Sequence, residues 1–259
     1  MSGRVAVAAA MCLVIVSGAA GAARADGPGG WTGFYAGLFA GYAWGRADAT
    51  EATDPSLLFP FYNGVATPYR FDTDGAFAGA TAGYNRQWGA FVAGIEGEIG
   101  YLGLRGSVID PNGIAIFGTP DTETSFKSDF YAALAGRLGI ATGPALIFVK
   151  GGGALLNARA STIDPCVAPP VGCGSGTLTM NGSDTMLGWT IGGGVEWAFA
   201  PFWTAKAEYA FFDFGSIDTA GPSNLPGEFY RQSIDVQAHT VRFGVNRRFG
   251  APPVTTYTK

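Results

Sequence analysis

Glu196, Lys206 and Glu208 stand inside "GWTIGGGVEWAFAPFWTAKAEYAFFDFG" (residues 188–215), among the most apolar stretches of the chain. A charge buried there without a partner would cost several kcal/mol. Glu96 and Glu98 interrupt a second apolar run, and Arg137, Lys150 and Arg242 interrupt three more. Two carboxylates this close resemble the acid and base of a glycoside hydrolase. With four basic residues in the same kind of setting, ion pairing is the better account. His239 is the one histidine, followed by Thr240, and no serine or carboxylate stands in register with it for nucleophilic chemistry. Asp72 and Asp74 in "FDTDG" (71–75) are too few for a calcium ligand set, so that stretch reads as a solvated loop. "KGGGALLNA" and "IGGGVEW" lack the strand-to-helix context of a phosphate loop. No catalytic residue, metal site or cofactor is expected.

The direction of each side chain resolves the charge problem, because alternate residues of a strand face opposite sides. In 188–215 one parity holds Trp189, Ile191, Val195, Trp197, Trp203, Ala205, Ala207 and Tyr209; the other holds Thr190, Gly192, Gly194, Glu196, Thr204, Lys206 and Glu208. The split recurs where Phe91, Ile95 and Ile99 oppose Glu96 and Glu98, where Leu134 and Leu138 oppose Arg137, where Ile147 and Val149 oppose Lys150, and where Val241, Phe243 and Val245 oppose Arg242. A soluble barrel needs apolar residues inside, whereas here the continuous apolar face is the outer one. Glu96, Glu98, Glu196 and Glu208 then balance Arg137, Lys150, Lys206 and Arg242 as a paired network in a lumen that leaves room for side chains but not for a wide pore. Alternate inward glycines give the long side chains space.

Strand-like segments fall near 33–45, 75–87, 91–103, 129–139, 145–155, 185–197, 203–215 and 235–249. Long polar gaps (46–74, 104–128, 156–184, 216–234) alternate with short turns at Trp88-Gly89, Gly143-Pro144 and Ala200-Pro201. Short turns at one end and long loops at the other is the layout of an outer-membrane barrel, the short turns facing the periplasm. The six tryptophans fall at expected strand ends or turns, as interfacial girdles require. The expected fold is all-β: an eight-stranded antiparallel up-and-down transmembrane β-barrel.

Composition agrees. The 259 residues include 41 Gly, with 14% aromatic and only 14% charged residues. Residues 1–25 carry Arg4, an apolar run from Val5 to Val16 and the small-residue site Ala23-Arg24-Ala25, the pattern of a cleaved signal peptide. The expected domain is 26–249, with a short periplasmic tail at 250–259. Without Arg4 and Arg24 the 16 basic residues become 14 against 20 acids, a net charge of −6, which argues against nucleic acid as a partner. In an exported chain Cys166 and Cys173 of "CVAPPVGC" read as a local disulfide, a metal site being the lesser alternative since no histidine is near.

"WTGFYAGLFAGYAWG", "GWTIGGGVEWAF", "WTAKAEYAFFDFG" and "HTVRFGVNRRFG" resemble the opacity-type porin family, OmpA-like eight-stranded outer-membrane proteins abundant in alphaproteobacteria, over essentially the whole mature chain. The resemblance implies an integral outer-membrane surface antigen with a structural role. It also implies that the barrel-assembly machinery reads Phe249 as the terminal aromatic signal, although "APPVTTYTK" continues beyond Gly250. Outer-membrane lipid and lipopolysaccharide are the expected surroundings, with a surface partner at the loops. A narrow channel for small solutes or ions is the alternative function, and an enzyme is not expected.

Overall fold

The computed structural model describes residues 30–54, 67–109, 122–164, 178–222 and 229–249. They form β1 (Gly33–Asp54), β2 (Thr67–Trp88), β3 (Phe91–Leu102), β4 (Arg105–Ile109), β5 (Glu123–Thr142), β6 (Ala145–Asp164), β7 (Leu178–Ala200), β8 (Trp203–Pro222) and β9 (Phe229–Phe249). Pairing is antiparallel throughout, and β1 pairs with both β2 and β9, which closes the sheet on itself. β3 and β4, parted by Gly103 and Leu104, both pair with β2 and β5, so they are two halves of one stave and the ring has eight. Closure leaves no strand edge for lipid to meet, the condition for sheet structure to cross a bilayer. Gly89 and Gly143 take φ of 60° and 57°, a left-handed backbone that lets two-residue turns reverse the chain at the periplasmic end.

Most staves are 20 to 23 residues long, about twice the 9–11 residues that a crossing needs. The expected strands therefore cover only their lower halves, and much of each expected long loop is strand. "FDTDG" lies within β2, with Asp72 and Asp74 on the outer face. The reason is an inversion of the alternation. On β1 the outward residues are Phe34, Leu38, Tyr42 and Trp44, then Arg46 and Asp48; the inward ones are Tyr35, Gly37, Phe39 and Gly41, then Ala43, Ala47 and Ala49. The lower half is a membrane barrel with an apolar outside. The upper half, beyond the apolar band, has the apolar inside and polar outside of a soluble barrel.

Bulges shift the phase further. In β5 both Ser128 and Tyr131 point inward across a register shift, and in β8 the inward set changes from Phe212 and Phe214 to Ile217 and Thr219 around Gly215, whose φ is 71°. Residues 1–25, the tail 250–259 and the Cys166–Cys173 loop lie outside the described residues.

Candidate functional site

The eight inward charges come from β3, β5, β6, β7, β8 and β9 and meet in the lower lumen, each at most 4% exposed. Towards the periplasm, Arg137 Nη2 donates to Glu196 Oε2 at 2.5 Å, while Thr204 Oγ1 and Asn246 Nδ2 donate to Glu196 Oε1 at 2.5 and 2.8 Å. Above this, Glu96 accepts from Lys150 at 2.8 Å, from Lys206 at 3.2 Å and from the Tyr35 hydroxyl at 2.7 Å. Glu98 accepts from Arg242 Nη1 at 2.8 Å and from the Tyr131 hydroxyl at 3.1 Å, and it also pairs with Lys150. Glu208 pairs with Lys150 at 2.8 Å, with Lys206 at 3.2 Å and with Arg242. Arg137 lies over the Phe148 ring at 3.8 Å and Arg242 over Phe39 at 4.4 Å, which lets each guanidinium keep its face against apolar surface while its edge meets carboxylates.

Oxygens of Glu96, Glu98 and Glu208 lie within 4.8 Å of one another, a grouping that a divalent cation could use. Lys150 Nζ contacts all three carboxylates, so an ammonium fills that centre. Gly41 illustrates why the inward small residues matter, since an added Cβ would collide with the Val241 carbonyl and with Arg242. Parity pointed to all eight charges. The neutral partners Tyr35, Tyr131, Thr204 and Asn246 share that inward parity, but their residue types alone do not mark them as partners of the charges.

Above the charges lies a layer that the sequence reading did not foresee. Phe39, Phe77, Tyr131 and Phe212 pack with ring centroids 5.0 to 6.2 Å apart. The cluster continues through Leu102, Phe126, Leu156, Ile217, Ile234 and Val236. Higher still, Tyr69, Thr124, Thr162 and Gln232 form a buried hydrogen-bonded ring, with Gln232 Nε2 donating to the Tyr69 hydroxyl at 2.5 Å.

Trp31 corrects the girdle assignment. It is 2% exposed and turns into the periplasmic mouth, its backbone NH bonded to Gln87 Oε1 at 2.7 Å, with Arg248 over its ring at 5.2 Å. Trp88, Trp197 and Trp203 do face outward at the periplasmic side, and Trp44 and Trp189 at the upper edge of the apolar band. His239 is mid-strand in β9, stacked on Trp44 at 5.9 Å and bonded through Nδ1 to the Tyr209 hydroxyl at 2.7 Å, the setting of an interfacial aromatic patch. Phe249 closes β9 opposite Phe34, outward and 52% exposed.

A closed antiparallel ring with an apolar belt, aromatic edges and charges turned inward defines a transmembrane β-barrel. The chain belongs to the outer membrane protein beta-barrel domain family, which matches residues 8–249. It is 30% identical over 222 residues to the 31 kDa outer-membrane immunogenic protein of Brucella melitensis biotype 1, covering 85% of this chain and 84% of that protein. Identity to the 25 kDa outer-membrane immunogenic protein of Brucella abortus biovar 1 is 26% over 223 residues, covering 85% and 79%. Among solved structures, the outer membrane protein OprG from Pseudomonas aeruginosa is similar with a TM-score of 0.48 and 10% identity, covering 86% of this chain and 100% of that one. The protein is an outer-membrane β-barrel similar to surface antigens.

Proposed function

We propose that this barrel neither conducts nor catalyses, and that it braces the outer membrane while presenting its upper wall and loops to surface partners. One observation carries the reading: the interior holds two unlike layers in series. A conducting path would have to cross both the ion-paired layer, whose members are at most 4% exposed, and the Phe39, Phe77, Tyr131 and Phe212 layer above it. Ions pass a charged layer only by displacing partners, and they pass a dry aromatic layer only at a large desolvation cost. The immunogenic relatives fit a chain exposed at the cell surface. In the same reading Phe249 serves as the signal for the assembly machinery.

Planar-bilayer recording tests the proposal. Wild-type protein gives no steady conductance, and Lys206→Ala alone stays silent because the aromatic layer still blocks the path. Lys206→Ala combined with Phe77→Ala and Phe212→Ala admits ions. Stable conductance of the wild-type protein would instead establish the narrow channel.

A further inference from the structure

On the outer wall, Arg105 of β4 is the direct cross-strand neighbour of Lys127 of β5, and Lys127 is the neighbour of Arg159 of β6. All three are exposed. Like charges directly opposite one another repel and destabilise a sheet, so a row of three in a chain of net charge −4 needs a counter-charge. Asp74 of β2 is the direct cross-strand neighbour of Arg105, and Asp129 pairs with Arg159 at 3.9 Å, which sets two carboxylates against three cations; Arg105 also donates to the Tyr101 hydroxyl at 3.4 Å.

The row lies just beyond the apolar band, which ends at Tyr101 on β3, Phe130 on β5 and Leu155 on β6. Two residues further towards the extracellular end the same staves carry a second row, in which Ser107 faces Ser125 and Ser125 faces Ser161. Below the cations, within the band, the outward positions include Gly97, Gly136, Gly151 and Gly153. Unlike the lumen glycines, these would meet nothing nearer than 3.5 Å if given a Cβ, so the barrel's own packing does not demand them. They leave a smooth wall between flanking Leu134, Leu138 and Leu155. From Arg159 down to Gly153 is roughly 20 Å along the strand at about 3.3 Å per residue, which places the glycines deep in the acyl region.

From bottom to top, one face of the barrel thus presents a smooth apolar wall, a row of cations and a row of hydroxyls. We infer that this β4–β5–β6 face binds a phosphorylated glycolipid of the outer leaflet, with acyl chains on the glycine wall, phosphate on Arg105, Lys127 and Arg159, and sugar hydroxyls on the serine row. Arginine suits this role because its planar fork meets phosphate oxygens in pairs. The inference is independent of whether the lumen conducts.

The test uses full-length protein refolded into phosphatidylcholine vesicles doped with bisphosphorylated lipid A, with its dephosphorylated form, or with phosphatidylglycerol. After detergent extraction, co-purified lipid is read by native mass spectrometry. Wild-type protein retains bisphosphorylated lipid A at least about tenfold better than either other lipid, in keeping with the attraction each basic residue adds at an anionic surface. R105Q/K127Q/R159Q loses that preference while keeping a heat-dependent gel shift, which verifies folding. R46Q/R70Q, changed on β1 and β2 at the same outward parity, keeps it. Filling the wall with Gly136→Leu and Gly153→Leu lowers retention with the cations intact. Four results overturn the inference: undiminished retention in the triple variant, equal loss in R46Q/R70Q, equal retention of phosphatidylglycerol, or cross-linking that finds a second copy of the chain on this face.

Discussion

Lys150 occupies the place where three carboxylates converge, and its ammonium does there what a divalent cation would otherwise do. Removing it leaves Glu96, Glu98 and Glu208 with Lys206, Arg242 and, at 3.8 Å from Glu96, an Arg137 already paired with Glu196, so Lys150→Met lowers barrel stability by about 3–5 kcal/mol, the cost of uncompensated buried charge. Adding Glu98→Gln to that variant recovers part of the loss, because the remaining charges again balance. Urea unfolding in lipid vesicles measures both, and a double variant no more stable than Lys150→Met would show that the groups are not coupled. At this scale the sequence was largely legible. All eight charges share the inward parity and come in equal numbers, whereas the hydroxyl and amide partners carry no charge to betray them. Trp31 misled because tryptophan is favoured both at interfaces and in plugs, and only the fold of Gly30–Thr32 across the mouth decides between them.

At the scale of the strand, one sequence pattern serves two solvents. Period-two alternation persists along each stave, but the face that carries the apolar residues changes where lipid gives way to water. A search for strands with an apolar outer face therefore stops near residue 45 of β1, although hydrogen bonding to β9 continues through Asp54. Bulges at Ser128 and around Gly215 hide the continuation in β5 and β8, since each moves the parity by one residue. Lysine substitution maps the change of solvent directly. Val195→Lys, outward within the band of β7, costs roughly 2–4 kcal/mol near the bilayer midplane, whereas Thr185→Lys, of the same parity but above Leu187, costs about 0–1 kcal/mol. Equal costs at the two sites would place the upper boundary of the band elsewhere.

For the whole molecule, closure of the ring is what permits strands this long to be stable in lipid at their lower ends and in water at their upper ones. No backbone edge is exposed in the hydrocarbon, where an unpaired amide has no water to turn to. Above the membrane the same ring encloses Phe71, Phe126, Ile217 and Ile234, which gives the protruding wall a core of its own. Such a closed shell resists detergent, so unboiled protein migrates differently from boiled protein on a denaturing gel. The closing seam is the sensitive point. Val241 of β9 sits between Tyr42 of β1 and Tyr209 of β8, and proline there withdraws a ladder donor from the last strand to join the ring. Val241→Pro abolishes the gel shift, while Val241→Ala, which trims an outward side chain and leaves the ladder intact, retains it. A persistent shift in the proline variant would mean that the shell holds without the β1–β9 seam, and closure would then not be the source of its resistance.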